Sequence, residues 1–282
     1  MPWNRFGGVP ALHSPSSARI WRAIAFLSLI VFFTLATGFV YAVKTVVMPA
    51  HVETSKPEEI ETEQTDIIKA PGVTIVTLGD SLTKGTGDVS GRGYAGMVRE
   101  WLSEQLDEPV YFIPFAVNGY RTDQLLQAIR EQQGLVAALK QADLILMTIG
   151  GNDLFTFGEE VTVEKARQNM PATLNRLDAI FAELARINPR ARILYLALYN
   201  PFIRLDPSGE ASLFVQQFNY EVFRLSVPYN TITVVPTFDL FEPDPAPFLA
   251  SDRFHPNEAG YARIAQRVTS LLLPPGGDES PF

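Results

Sequence analysis

Val73-Thr74-Ile75-Val76-Thr77-Leu78 runs directly into Gly79-Asp80-Ser81-Leu82-Thr83. Six residues rich in β-branched types read as a buried strand, and the small polar residues after them read as a tight turn at its carboxyl end. Open α/β sheets gather their ligand sites at that end. A serine there can present its hydroxyl to a ligand, yet most turn serines only bond nearby backbone, so Ser81 acquires meaning only from the rest of the chain.

Downstream, strand-like and helix-like patterns alternate. Further strands are expected at 110–117, 144–149, 193–198 and 231–235, and helices at 94–106, 122–131, 171–187, 211–225 and 257–272. Five strands separated by helices imply an α/β fold, a parallel sheet covered on both faces. Pro114 cannot donate a ladder hydrogen bond, which places the second strand at an edge and fits the order 2-1-3-4-5. Leu174, Leu177, Phe181, Leu184 and Ile187 recur at helical spacing and are read as core facing the sheet.

The chain has 282 residues and no cysteine. Disulfides, thiolate nucleophiles and thiolate metal sites are thereby excluded. Residues 1–50 hold Arg5, Arg19, Arg22 and Lys44 with no acidic residue, whereas the remainder holds 31 acidic and 19 basic side chains, a net charge of −12. That balance disfavours nucleic acid as a partner, because displacing counterions from phosphate needs a basic surface.

Residues 23–43 form an uncharged run about 31 Å long as a helix, enough to cross a bilayer. A cleaved signal peptide has a shorter apolar region, and Val40-Tyr41-Ala42 is a mediocre cleavage site, so an uncleaved anchor is expected. Arg19 and Arg22 precede the run and only Lys44 closely follows it, which puts the N-terminus in the cytoplasm and the body outside. The chain thus divides into a cytoplasmic tail (1–19), a membrane anchor (20–48), an acidic stalk (49–70), one folded domain (71–273) and a frayed tail (274–282). The stalk assignment rests on Glu53, Glu58, Glu59, Glu61, Glu63 and Asp66 among few large apolar residues.

Four short stretches fall at strand ends: 79–83, Asn118-Gly119, Gly150-Gly151-Asn152-Asp153, and Ser251-Asp252-Arg253-Phe254-His255-Pro256-Asn257. His13 and His51 lie in the tail and stalk, so a histidine base in the folded domain must be His255. A serine hydroxyl is a weak nucleophile until a base takes its proton, and a tetrahedral oxyanion needs fixed donors. Asp252, three residues before His255, can meet the imidazole in a turn and leave the other ring nitrogen facing Ser81. Singly, each residue has a plainer account: His255 as a cap before the last helix, Asp252 as a solvated carboxylate, Asn152 as a turn residue, Gly119 as relief of a positive φ.

Together and in this order, the four stretches resemble the blocks of the SGNH, or GDSL, hydrolases, over most of residues 71–273. The resemblance implies a flavodoxin-like sheet, a nucleophile at Ser81, an orienting Asp252 for the base His255, and an oxyanion hole of Ser81, Gly119 and Asn152. It further implies a carboxylic ester hydrolase needing no metal or cofactor. The run 252–261 looks most like bacterial lysophospholipase or acyl-hydrolase members. Beside a bilayer, lysophospholipid or other acyl esters are the leading substrates; O-acetyl groups on cell-wall carbohydrate are the alternative, and a tethered binding module on a dead hydrolase fold is disfavoured by intact Ser81, Asn152 and His255.

One departure from a related pattern and one exclusion sharpen the reading, with the second block reading Asn118-Gly119-Tyr120-Arg121-Thr122 where the family is variable. Thr83 stands where a Gly-x-Ser-x-Gly elbow needs its second glycine, which disfavours the α/β-hydrolase fold. Gly85-Thr86-Gly87 lacks the spacing of a nucleotide fingerprint. Residues 84–96 are read as a mobile loop over the site.

Overall fold

A computed structural model describes residues 15–47, 71–155 and 162–272. Most of the expected cytoplasmic tail, the acidic stalk and the C-terminal tail lie outside these. Two units are distinguished, Met1–Ile67 and Ile68–Phe282.

In the first unit, α1 (Pro15–Val47) is a single 33-residue helix. Among the described residues no helix is long and apolar enough to cross a membrane. The side chains described in α1 are those of residues 21, 22 and 24–38, part of the uncharged run at 23–43.

The second unit begins with β1 (Val73–Gly79), the one-turn helix α2 (Ser81–Lys84), α3 (Gly93–Gln105) and β2 (Val110–Pro114). Then follow α4 (Thr122–Glu131), α5 (Gln133–Gln141), β3 (Leu144–Thr148), the one-turn α6 (Gly151–Leu154) and α7 (Val163–Ile187). The chain closes with β4 (Arg192–Leu196), α8 (Glu210–Ser226), β5 (Ile232–Val235) and α9 (Glu258–Leu272). The five strands are all parallel, in the order β2-β1-β3-β4-β5. This is the α/β architecture and strand order expected from the sequence, with Pro114 on the edge strand.

The central strands β1, β3 and β4 present apolar side chains to both sheet faces because both faces are covered there. Val76, Leu78, Ile145, Met147, Ile193 and Tyr195 pack under α4, α5, α7 and α8, while Val73, Ile75, Leu144, Leu146, Leu194 and Leu196 pack under α3 and α9. Leu177, Phe181 and Leu184 of α7 are fully buried in the first layer, as their spacing predicts. Burying a side chain of this size stabilises by about 1.5–3 kcal/mol.

Three local expectations are corrected. First, α7 starts eight residues before Pro171, whose place at a helix start is only a preference; Thr162 caps the true N-terminus by accepting from the Lys165 N–H. Second, α5 was not expected at all. Its apolar contribution is Leu135, Ala138 and Leu139, too few for a clear period, and it is recruited by tertiary burial. Third, residues 84–96 are not one loop: Lys84 ends α2, Gly93 opens α3, and Asp88 ties the segment between them. Its carboxylate accepts from the Ser90 hydroxyl and from the N–H groups of Ser90 and Gly93.

Gly79 shows how closely β1 and β3 are set at the site end. It has φ +101°, and a Cβ built there would stand 1.7 Å from the Thr148 carbonyl oxygen. Neither the backbone conformation nor the space admits a side chain. Gly79→Ala is therefore expected to cost about 3 kcal/mol or more in urea unfolding, or to leave no soluble protein. Gly134→Ala, in the first turn of α5 with nothing within 4 Å of the new methyl, serves as control and should be neutral or slightly stabilising. Equal stabilities for the two variants would refute the account.

Candidate active site

The turn after β1 is built so that Ser81 has one position. Asp80 accepts from the Leu82 N–H at 3.0 Å as the N-cap of α2, and the Thr148 hydroxyl at the end of β3 donates to the same oxygen at 2.6 Å. The Asp80 N–H in turn donates to the Thr148 carbonyl, and Thr83 bonds both Thr148 and Tyr94 through its hydroxyl. Burial pushes the Asp80 carboxyl up to about 6, despite the lowering effect of the Thr148 and Leu82 hydrogen bonds.

His255 arrives from a hairpin-like turn between β5 and α9. The Ala250 N–H donates to the His255 carbonyl and the Arg253 N–H to the Ala250 carbonyl, with Arg253 at φ +56°. Asn257, not His255, caps α9: its side-chain oxygen accepts from the Gly260 N–H, and its amide donates to the carbonyls of Pro247 and Leu249. The imidazole is thereby released from capping and turned toward β1.

There His255 Nε2 lies 2.8 Å from Ser81 Oγ, and His255 Nδ1 lies 2.6 Å from Asp252 Oδ2. Asp252 Oδ1 also accepts from the N–H groups of Phe254 and His255. Partial burial raises the Asp252 carboxyl, but the hydrogen bonds from the His255 ring and the two N–H groups outweigh this and hold it below the usual carboxylate range. An ionised Asp252 fixes the proton on Nδ1, so Nε2 is free to accept from the serine. Exposure falls along the series, from an exposed Asp252 through a half-buried His255 to a buried Ser81, so the reacting end is the driest.

Facing Ser81 are the other two sequence-predicted residues. Gly119, at φ +76°, lies in the loop between β2 and α4, and Asn152 is in the first turn of α6. Among the described residues the backbone N–H groups of Ser81 and Gly119 donate to no backbone acceptor. The Asn152 amide donates one hydrogen to the Tyr120 carbonyl at 2.9 Å, which orients the group and leaves its second hydrogen for a ligand. All five predicted residues line one cleft of about 470 Å³, together with Thr86, Asn118, Phe155, Phe202 and Phe254. Among the described residues no group of three or more His, Asp or Glu side chains is placed to hold a metal ion.

Sequence reading missed the clasp that ties the Gly119 loop to Asn152. Buried Asp153 accepts from the N–H and hydroxyl of Thr122 and from Arg176, which also donates to the Thr122 hydroxyl. Its signal was present in the adjacency of Asn152 and Asp153 and in Thr122 opening α4, but the Arg176 partner on α7 has no local mark. The aromatic group Phe155, Phe202 and Phe254 was missed for the same reason.

A nucleophile, base and carboxylate in series, with N–H donors around one point on a parallel sheet, define a serine hydrolase. Residues 77–263 match the GDSL-like lipase/acylhydrolase family, and the chain belongs to it. Among its relatives are the spore germination lipase LipC of Bacillus licheniformis, 31% identical over 68% of this chain and 92% of the relative, and YpmR of Bacillus subtilis, 32% identical over 72% and 83%. Among solved structures, the lipase Lip_vut3 from a goat rumen metagenome is 26% identical with a TM-score of 0.62, covering 70% of this chain and 96% of that one. Axe2, an acetylxylan esterase from Geobacillus stearothermophilus, shares the fold at 18% identity and a TM-score of 0.55, covering 70% and 93%. The protein is a carboxylic ester hydrolase of the GDSL type.

The Asp80 carboxyl supplies a pH test. Its folded value of about 6 lies above the ordinary 3.8, so the native state binds its proton more tightly than the unfolded chain. The stability this contributes is complete below pH 3.8 and is lost as pH rises through 6. Asp80→Asn keeps the accepting oxygen and removes the charge. Its stability relative to wild type should therefore rise between pH 4 and 7, by up to about 3 kcal/mol, and then level off. Denaturant unfolding of both proteins across that range reads the difference; a pH-independent difference would overturn the assignment.

Proposed function

We propose that this chain is a membrane-anchored, outward-facing serine esterase working through an acyl-enzyme on Ser81. The 2.8 Å contact between Ser81 Oγ and His255 Nε2 carries the reading. As Oγ attacks the ester carbonyl carbon, its proton passes to Nε2, and Asp252 stabilises the imidazolium. The carbonyl oxygen gains charge among the N–H groups of Ser81, Gly119 and Asn152. His255 then protonates the departing alcohol. Water, deprotonated by the same nitrogen, attacks the acyl-enzyme, and the acid leaves as Ser81 recovers its proton.

The uncharged run at 23–43 in the sequence is what supports the anchor. An enzyme held at a bilayer meets lipids first, which favours lysophospholipid and other acyl-lipid esters as substrates. Cell-wall carbohydrate O-acetyl groups are a second reading, favoured by Thr86 and Asn118, which put polar side chains on the wall of the cleft.

Turnover of an ester panel should vanish in Ser81→Ala together with labelling by a fluorophosphonate; labelling that persists at another serine would refute the nucleophile. Asn152→Ala should keep its melting temperature and lose about 10²–10³ in kcat with KM changed only a few-fold, because the donor acts on charge that develops in the transition state. Unchanged kcat with a lowered melting temperature would assign Asn152 to the turn instead. For topology, protease added to intact cells should release the folded body by cutting within residues 51–69; protection until lysis would reverse the orientation.

A further inference from the structure

We infer that the acyl and alcohol halves of the substrate occupy separate cavities and that Phe202 limits the acyl side to short chains, a reading that rests on Ser81 being the nucleophile. Three cavities meet at Phe202. The cleft of about 470 Å³ contains His255, Gly119 and Asn152. A slot of about 40 Å³ runs inward from Ser81 between Leu82, Leu198, Val215, Phe155 and Phe202 and is not lined by His255. On the far side of Phe202 lies a cavity of about 810 Å³ that includes Arg204, Leu249 and Arg253.

Stereochemistry assigns the halves. The tetrahedral carbon on Ser81 Oγ directs its other three substituents apart: the oxyanion to the N–H donors, the leaving alcohol to His255 Nε2 for its proton, and the acyl chain into the remaining direction. Since the wide cleft contains His255, the alcohol occupies it. The chain is left with the slot, by far the smallest of the three cavities, which suits an acetyl or propionyl tail better than an octanoyl one.

Phe202 and Phe155 close the slot, their rings 6.4 Å apart and T-shaped, and Phe254 braces Phe202 from the other side at 5.9 Å. The Phe202 backbone is pinned, because its N–H donates to Asn200 Oδ1 while the Asn200 amide donates to the Ser212 hydroxyl on α8. What blocks the slot is therefore the ring itself. Removing it joins 40 Å³ to 810 Å³. The substrate class that follows is a short acyl group, acetyl foremost, on a large polar alcohol, which within the proposed function moves the balance from long-chain lipids toward acetylated carbohydrate.

The test uses the full-length protein and p-nitrophenyl esters from acetyl to dodecanoyl, whose common leaving group isolates the acyl side. For wild type, kcat/KM should be highest at acetyl or propionyl and about 100-fold or more lower at octanoyl. In Phe202→Ala the octanoyl-to-acetyl ratio should rise about 10-fold or more, and Val215→Ala, opening the slot from the helix side, should raise it in the same direction. Octanoyl turned over by wild type as well as acetyl, or a ratio unmoved in every variant that folds, overturns the inference. Loss of the serine-directed reading looks different: no ester in the panel is hydrolysed, or hydrolysis survives Ser81→Ala.

Discussion

Everything at the site hangs on one junction, where the ends of β1 and β3 approach so closely that Gly79 has no room for a methyl group. Across it, Asp80 and Thr148 exchange two hydrogen bonds, backbone N–H to carbonyl and hydroxyl to carboxylate. A buried carboxyl is costly, and this one is kept because two donors satisfy the same oxygen and the resulting cap starts α2 at Ser81. The serine is thus positioned by the sheet, through bonds that loop motion does not reach. The oxyanion donors proposed for it are held from another direction, beside the Asp153–Thr122–Arg176 clasp joining α4, α6 and α7.

Charge is graded across the site in the way the chemistry requires. Asp252, the most exposed member of the series, is partly desolvated, yet the hydrogen bonds from the His255 ring and two local N–H groups outweigh this and hold it ionised, so it can polarise His255. Ser81 sits in the driest place, where an oxyanion gains most from fixed donors. The aromatic rings of Phe155, Phe202 and Phe254 exclude water without adding charge. An acidic body overall is no obstacle to such a site, because a neutral ester needs no electrostatic steering.

Much of this was legible in the sequence, for specific reasons. Strands buried on both faces leave continuous apolar runs, so β1, β3 and β4 could be found from composition, and Pro114 could only be tolerated at an edge. Ser81, Gly119 and Asn152, three of the five candidate site residues, stand shortly after β1, β2 and β3 beside turn formers, where the architecture puts function, while Asp252 and His255 come from the turn that leads into α9. What escaped detection depended on distant partners. Nothing near Gln133–Gln141 announces a helix, since its few apolar residues matter only once the sheet is there to cover. Pro171 misled because its fixed φ suits a helix start, whereas here it sits inside α7. Arg176 and Phe202 have no neighbours in sequence that mark them, and their roles exist only through contacts with α4 and α6 in one case and three cavities in the other.

The two halves of the proposed triad are assembled on different scales. Asp252 and His255 are three residues apart and are bonded to one another within the segment 247–257, which the Tyr199 hydroxyl ties to the end of β4 through the Phe254 carbonyl, whereas the His255–Ser81 contact spans 174 positions. A partial opening of that short hairpin would carry base and orienter away together, still bonded to one another, while the sheet stayed folded. Such an opening is a sub-global event, in which inactivation would precede the loss of secondary structure. Reinforcing the 247–257 hairpin is then a route to durability that leaves the already dense core untouched.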